Sequence, residues 1–295
     1  MAIRIGDAEI SRAEEFTLQF PIKRLTRDQS ILDANADWLT ADFYDRTTQS
    51  LTMVFHTWIV QVDGLTVVVD PCNGNGRSRP AVPFFENLDT PFLERFEATG
   101  VRPDQVDMVF CTHLHCDHCG WNTRMQDGRW IPTFPNARYL FVRREVERWD
   151  PRRPGHRVID YNVGVFEDSV QPILDAGLAD LVEDRHPVSE TLVIEPAYGH
   201  TGGHSTLRFA ARGEELIFTG DAFHHPLQVL DPTLHLEGCD DLEAAVATRR
   251  RLRATLAERG GVMLPAHFPA PHGGRVSRHG EAFHFEPLGP APARA

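Results

Sequence analysis

Met108-Val109-Phe110-Cys111-Thr112-His113-Leu114-His115-Cys116-Asp117-His118 is the stretch on which the reading of this chain turns. The run Met108 to Cys111 is apolar and reads as a buried strand, so the polar residues begin where a strand gives way to a loop. Three histidines and an aspartate within six positions suit a first-row divalent metal, which takes imidazole nitrogen and carboxylate oxygen. With 15 histidines among 295 residues, chance rarely assembles such a pattern. A loop that is merely histidine-rich is the competing reading. It weakens as further ligand-type residues are found downstream.

Each of these follows an apolar run. Leu192-Val193-Ile194 leads to Tyr198-Gly199-His200, Leu216-Ile217-Phe218 leads to Thr219-Gly220-Asp221, and Val262-Met263-Leu264 leads to Pro265-Ala266-His267. Upstream, the run Leu65 to Val69 ends in Asp70. Open α/β architectures place their chemistry at the carboxyl ends of strands. The five events therefore predict one metal site, assembled from loops on one edge of paired sheets.

In the order of these motifs the chain resembles the metallo-β-lactamase superfamily over nearly its whole length. The resemblance implies an α/β fold, a four-layer αββα sandwich, here with an amino-terminal extension. It implies that His113, His115 and His200 hold a first metal ion, that Asp117, His118 and His267 hold a second, and that Asp221 bridges them. Asp70 matches the strand-end aspartate that hydrogen-bonds and orients the histidine loop. The implied cofactors are two divalent ions, with zinc first and manganese, iron or cobalt depending on supply. Such a pair shares a water, lowers its pKa toward about 7 and polarises a carbonyl or phosphoryl oxygen. The implied reaction is hydrolysis by a bridging hydroxide, with Asp117 also acting as general acid/base.

Within that superfamily several branches share the motifs. β-Lactamases usually carry cysteine or serine at the bridging position, where this chain has Asp221, which argues against that branch. A glyoxalase-type thioesterase would want a basic carboxyl-terminal patch, and Arg275 to Phe285 offers two arginines and no lysine. The complete second ligand set speaks against a mononuclear oxygen-using iron enzyme. The expected substrate is a neutral, largely apolar lactone or ester of the N-acyl-homoserine-lactone type. A phosphotriester is the alternative, and a non-catalytic binding module is the third reading. Quorum-quenching lactonases carry a tyrosine three residues after the bridging aspartate, and this chain has His224 there. A neutral imidazole N–H can donate the same hydrogen bond to substrate, or His224 can support a ligand from behind. Both readings stay open.

Composition agrees with a globular enzyme, since 41% hydrophobic and 24% charged residues are ordinary values. A net charge of −12 opposes a nucleic-acid groove, which needs a basic surface, and leaves a small-molecule substrate as the expected partner. It leaves a homodimer open. The first residues lack the basic start and apolar core of a secretory signal, and no run approaches the roughly 18 apolar residues of a membrane span. Five unpatterned cysteines fit free thiols in a reducing cytoplasm. Cys111, Cys116 and Cys119 beside the metal loop are read as small packing residues.

A single domain over 1–295 is expected. Residues 1–50 read as an irregular extension anchored by Phe16, Phe20, Trp38, Phe43 and Tyr44, and 287–295 as a frayed tail. Leu51–Val62 and Leu65–Val69 around Asp63-Gly64 predict a β-hairpin. Helices are predicted from Thr90-Pro91 to Gly100, from Glu167 to Leu181 and from Asp240 to Glu258. Aromatic residues of the extension, Phe84-Phe85 in the loop Pro71–Asp89, and Trp121 are candidates for pocket walls, which would make the substrate largely apolar. His204 reads as a loop histidine satisfied by backbone, and His56, His235, His272, His279 and His284 as structural.

Overall fold

In the computed structural model, residues 3–289 except 158 and 237 are described. The first part of the chain forms β1 (Ile3–Ile5), β2 (Ala8–Pro21), β3 (Ser50–Val62), β4 (Leu65–Val69) and β5 (Met108–Phe110). A separate hairpin follows, β6 (Thr123–Gln126) and β7 (Arg129–Pro132), and then β8 (Arg138–Val142) and β9 (Ala179–Val182). Apart from the hairpin, these strands lie side by side in chain order as one seven-stranded sheet, with β4, β5, β8 and β9 parallel. The second sheet is also seven-stranded and in chain order. It comprises β10 (His186–Pro187), β11 (Leu192–Pro196), β12 (Ser205–Ala211), β13 (Glu214–Gly220), β14 (Val262–Pro265), β15 (Gly274–His279) and β16 (Ala282–Pro287).

Strand alternation sorts the apolar side chains into two cores. Val67 and Val69 of β4, Phe110 of β5, Leu216 and Phe218 of β13, and Val262 and Leu264 of β14 meet between the sheets. Their neighbours Val68, Val109, Ile217 and Met263 face outward, where Leu252 and Leu256 of the helix Leu242–Arg259 join the same cluster. Side chains on successive strand residues point to opposite faces, so these near-continuous apolar runs are what a sheet covered on both sides requires. The result is the expected layering of helix, sheet, sheet and helix. The long helix is capped by Asp241, which accepts from Ala244 N, and it stops at left-handed Gly260. The predicted hairpin is present, with Asp63 at φ 55° and Gly64 at φ 75° in its turn.

Three expectations fail. Residues 1–50 are not an irregular extension, because β2 pairs with β3 along nearly its whole length, from Glu9↔Gln61 to Pro21↔Ser50. A bulge between Glu14 and Phe16 shifts the phase of alternation and turns Glu15 inward, which hides the strand from a period-two reading. The predicted helix from Glu167 to Leu181 divides into a π-helical turn Phe166–Val170, a short helix Gln171–Asp175 and strand β9. Pro172 allows only a first-turn position, and left-handed Gly177 ends the helix before Leu181. The start of the predicted frayed tail is ordered, since Pro287 closes β16 and Leu288 N donates to Gly273 O at 3.0 Å. Residues 290–295 lie outside the described residues. No helix among the described residues is long and apolar enough to cross a membrane.

Candidate metal centre

The carboxyl ends of β4, β5, β13 and β14, together with the loop after β11, deliver Asp70, His113 to His118, Asp221, His267 and His200 to one place. Asp70 sits at φ 53°, a conformation rarely adopted by a non-glycine residue and one that surrounding bonds must hold. Its Oδ1 accepts from Thr112 N at 2.7 Å and its Oδ2 from Thr112 Oγ1 at 2.8 Å, pinning the start of the histidine loop. The same Oδ2 lies 3.1 Å from His118 Nδ1.

Two groups of potential metal-holding atoms result, His113, His115, His200 and Asp221 in one and Asp117, His118 and His267 in the other. In the first, His113 Nε2 lies 2.9 Å from His115 Nδ1, which lies 3.0 Å from His200 Nε2. In the second, His267 Nε2 lies 3.3 Å from His118 Nε2 and 3.5 Å from Asp117 Oδ2. Asp221 stands between them, with Oδ2 at 3.3 Å from both His200 Nε2 and His118 Nε2, and Oδ1 at 3.1 Å from His267 Nε2.

The outward ring nitrogens show which nitrogens are bare. Val54 O can only accept, so at 3.2 Å it fixes the proton of His267 on Nδ1. Thr112 Oγ1 spends its own proton on Asp70 and therefore accepts from His113 Nδ1 at 3.1 Å. His118 Nδ1 faces the Asp70 carboxylate and His115 Nε2 faces the Tyr161 hydroxyl at 3.1 Å. The inward nitrogens are then lone pairs aimed at one another, and Asp221 Oδ1 is buried without a hydrogen-bond donor. Such a donor set fits divalent cations, and outward acceptors like those of His113, His118 and His267 are what ligating histidines need.

Electrostatics divide the rings in the same way. Burial holds His113, His115 and His200 well below the usual imidazole range, and neighbouring histidines add to this at each of them. Burial opposes protonation of His118 and His267 too, but Asp221 and Asp117 outweigh it and raise both. Burial works against ionising Asp221, yet His118, His267 and His224 hold its carboxyl well below the usual carboxylate range.

Several residues that spacing could not single out complete the centre. Buried Glu145, at the start of the helix Arg143–Trp149, accepts four donors. Leu114 N (3.1 Å) and Trp149 Nε1 (2.6 Å) bind one oxygen, and Thr201 Oγ1 (2.8 Å) and Gly203 N (2.9 Å) bind the other. One carboxylate thus ties the 113–118 loop to the 200–204 loop. Burial pushes its pKa up, and those four donors pull it back. His204 donates from Nδ1 to Ala197 O at 3.0 Å and accepts Asp221 N–H on Nε2 at 3.1 Å, so it is satisfied by backbone and also positions Asp221. Left-handed Gly220 lets this contact form, since a Cβ there would come within 2.8 Å of His204 Nε2 and 2.5 Å of Thr112 Oγ1. His224 lies with Nε2 3.1 Å from Asp221 Oδ2, and its backbone N–H is held by Gln228 Oε1 at 2.7 Å.

The centre opens into a cavity of about 210 Å³, walled by Phe20, Arg24, Met53, Phe55, Val82, Phe84, Phe85 and Leu236. Asp117, Asp221, His224, His267 and Tyr161 face it from below. Of the aromatic residues expected as walls, Phe20, Phe84 and Phe85 are there. Phe16, Trp38, Phe43 and Tyr44 instead pack in the core around it, and Trp121 is buried, stacked on Phe92 at 5.0 Å and bonded to Glu15. Cys116 does reach the cavity, whereas Cys111 and Cys119 are buried packing residues. Burial pushes all three thiols well above their usual range.

Among solved structures the chain is similar to the hydrolase AbOPH of the beta lactamase superfamily, at TM-score 0.79 and 22% identity, covering 98% of this chain and 97% of that one. It is similar to AidC, a dizinc quorum-quenching lactonase solved with a hexanoyl-homoserine product, at TM-score 0.76 and 19% identity, covering 98% and 97%. A probable metal-dependent hydrolase from Staphylococcus aureus gives TM-score 0.74 and 16% identity, covering 97% and 99%. At these identities the likeness shows the shared fold. No curated protein matches the chain. The family model described as metallo-beta-lactamase superfamily matches residues 56–274, so with its fold and its clustered histidines and aspartates the chain belongs to the metallo-beta-lactamase superfamily and is a metal-dependent hydrolase.

Proposed function

We propose that this enzyme hydrolyses a neutral, largely apolar lactone or ester, of the N-acyl-homoserine-lactone type, using two divalent ions, zinc first among them. The observation that carries the reading is the cavity, whose wall is mostly apolar, with Arg24 beside Phe20 its one basic side chain, and whose floor is the His/Asp cluster. A substrate that fits it presents one hydrolysable polar group to the floor and an apolar remainder to Phe20, Phe84 and Phe85. The similar fold of a dizinc lactonase supports the choice of reaction.

In this reading His113, His115 and His200 would hold one ion and Asp117, His118 and His267 the other, with Asp221 placed between the two groups. When bound, the pair supplies an acidified water and polarises the carbonyl. The chain's own residues do the rest. Asp117 lies on the cavity wall and is the most exposed member of the cluster, with 15% of its side-chain surface accessible. We assign it to take the proton released as water attacks and to pass it to the leaving oxygen. His224 directs Nε2 at Asp221 Oδ2, so in that tautomer its proton steadies the bridging carboxylate. The apolar walls keep bulk water from competing around the reacting groups.

Metal analysis of protein purified without chelator should give two ions per chain, and a value near one that added metal does not raise, with His267→Ala harmless, would overturn the binuclear assignment. The metal-replete enzyme is then assayed on an acyl-homoserine lactone, an aryl ester, a dialkyl aryl phosphate, a glutathione thioester and a cephalosporin. The lactone or ester should lead in kcat/KM. A lead of about tenfold for the phosphate or thioester, roughly 1.4 kcal/mol of transition-state preference, would replace this reading.

A further inference from the structure

From Asp70 to Gly74 the chain makes a turn that costs free energy to hold. Asp70 sits at φ 53° and Cys72 at φ 37°, so two side-chain-bearing residues close together occupy the left-handed region. Such conformations persist where the surrounding structure over-determines them. Cys72 N donates to Asp70 O at 2.8 Å, Gly120 N to Cys72 O at 2.7 Å and Trp121 N to Pro71 O at 2.7 Å. The turn and the segment after His118 approach so closely that a Cβ on Gly120 would come within 1.7 Å of Asn73 O.

Glu15 closes this arrangement from β2. The bulge between Glu14 and Phe16 turns it inward, where it is buried. Its Oε2 accepts from Asn73 N at 2.9 Å and Asn73 Nδ2 at 3.0 Å, and its Oε1 from Gly74 N at 3.1 Å and Trp121 Nε1 at 2.6 Å. One carboxylate therefore gathers the far end of the turn that Asp70 begins and the segment that follows His118. Asp70 in turn faces Thr112 N, Thr112 Oγ1 and His118 Nδ1. The bonds of Glu145 lie elsewhere, on Leu114, Thr201 and Gly203 beside His113, His115 and His200. Each group of potential ligands thus has its own buried glutamate.

We propose that Glu15 is a positioning residue for the ion held by Asp117, His118 and His267. It fixes the turn at 70–74, the turn aims the Asp70 carboxylate, and Asp70 sets the tautomer and orientation of His118. The inference rests on the two-ion reading above and goes beyond it, since Glu15 touches neither a ligand nor the cavity. A carboxylate suits the task because four N–H groups converge on it, and a charged acceptor binds them more strongly than a neutral one. Outer partners of ligating histidines govern metal affinity, and this one is reached through two steps of hydrogen bonding. The first ion feels the same change more weakly, because Thr112 Oγ1 also accepts from His113 Nδ1.

The competing role for Glu15 is to stabilise the fold alone, and the test separates the two. Chelator competition with zinc reads the two binding steps, and His267→Ala identifies the step that belongs to His118 and His267. Glu15→Gln keeps the shape of the side chain but sets an NH₂ group against an N–H. That step should weaken about 10–100-fold in this variant, and the other step less. Equal weakening of both steps, or a lower melting temperature of the metal-free chain with both affinities kept, would overturn the proposal. Adding Glu15→Gln to Asp70→Asn should cost little further affinity, because effects that pass through one residue do not add, and full additivity would refute the route through Asp70. Should Glu15→Gln fail to fold, Trp121→Phe removes one of the four donors and leaves the carboxylate in place. The same step should then weaken several-fold, and an unchanged affinity overturns the proposal. If the wild-type chain binds only one ion, it is the two-ion reading that has failed. Glu15 is then judged on that ion, and an affinity unaltered in Glu15→Gln removes its positioning role.

Discussion

Two sets of buried histidines differ in what their nitrogens face. In the cluster of His113, His115, His118, His200 and His267, each ring turns one nitrogen inward toward other nitrogens and the carboxylates of Asp117 and Asp221. Beneath it, His204 and His225 have both nitrogens occupied by backbone. His204 bonds Ala197 O and Asp221 N, and His225 bonds Phe43 O at 3.1 Å and Leu227 N at 3.2 Å. The first arrangement offers lone pairs that a cation can collect. The second is complete with a neutral ring. Burial alone therefore does not identify a ligand; the destination of both nitrogens does.

The sharpest way to break this comparison is at Asp221, where the two sets meet. Asp221→Ala removes the oxygens that face His118, His200 and His267, and it should leave fewer than two ions per chain with kcat/KM reduced about a thousandfold, roughly 4 kcal/mol. Asp117→Asn, at the exposed margin, should keep more metal and lose mainly turnover. Equal metal loss in the two variants, measured by elemental analysis, would remove the separate proton-handling role given to Asp117.

Glu145 sharpens the comparison from outside the cluster. All four of its partners are donors, so Glu145→Gln sets an NH₂ group against at least one backbone or indole N–H. Each buried donor left unpaired costs about 1–3 kcal/mol. Because those donors belong to both ligand loops, metal affinity should fall about 10–100-fold together with the melting temperature. Competition titration against a chelator checks this. A lowered melting temperature with unchanged metal affinity would mean that Glu145 stabilises the fold without organising the site.

Most of the centre was legible because its residues obey a local rule: a polar side chain directly follows an apolar run. Asp70, the 113–118 loop, Asp221 and His267 all do so, and His200 follows β11 closely. Glu145 lies three residues past the apolar run Tyr139 to Val142 and so meets the rule, but as a carboxylate in the first turn of a helix it reads as a surface residue, and Tyr161 and Gln228 meet no such rule. The three sit on a helix, a short turn and a short helix, and they reach the site only through the packing of distant segments. The amino-terminal strand was illegible for another reason. Its alternation runs Ala8, Ile10, then slips past Arg12 to Ala13 and slips again past Glu15 to Phe16, Leu18 and Phe20, so no single phase spans it. The bulge turns in a carboxylate, Glu15, that accepts from Asn73, Gly74 and Trp121, and a sequence cannot show that partnership.

The smallest expected effect lies in the second histidine set and concerns pH. Burial lowers the His225 pKa to about 4, against the contrary pull of the Phe43 carbonyl. An unfolded chain takes up that proton near the ordinary value of about 6.5, so between roughly 6.5 and 4 the unfolded state binds more protons and stability falls as pH falls. The full window is worth about 3 kcal/mol at most, at 1.36 kcal/mol per pKa unit. His225→Gln can still donate to Phe43 O and accept from Leu227 N, and it never charges. Urea unfolding at pH 7 and at pH 4.5, with chelator present so that metal release does not mask the effect, should show a smaller acid loss in the variant than in the wild type. The variant should be close to wild-type stability at pH 7, where the native ring is neutral in both states. An identical acid loss in the two chains would mean that His225 gains its proton in the folded state as easily as in water, and that its two backbone bonds do not demand a neutral ring.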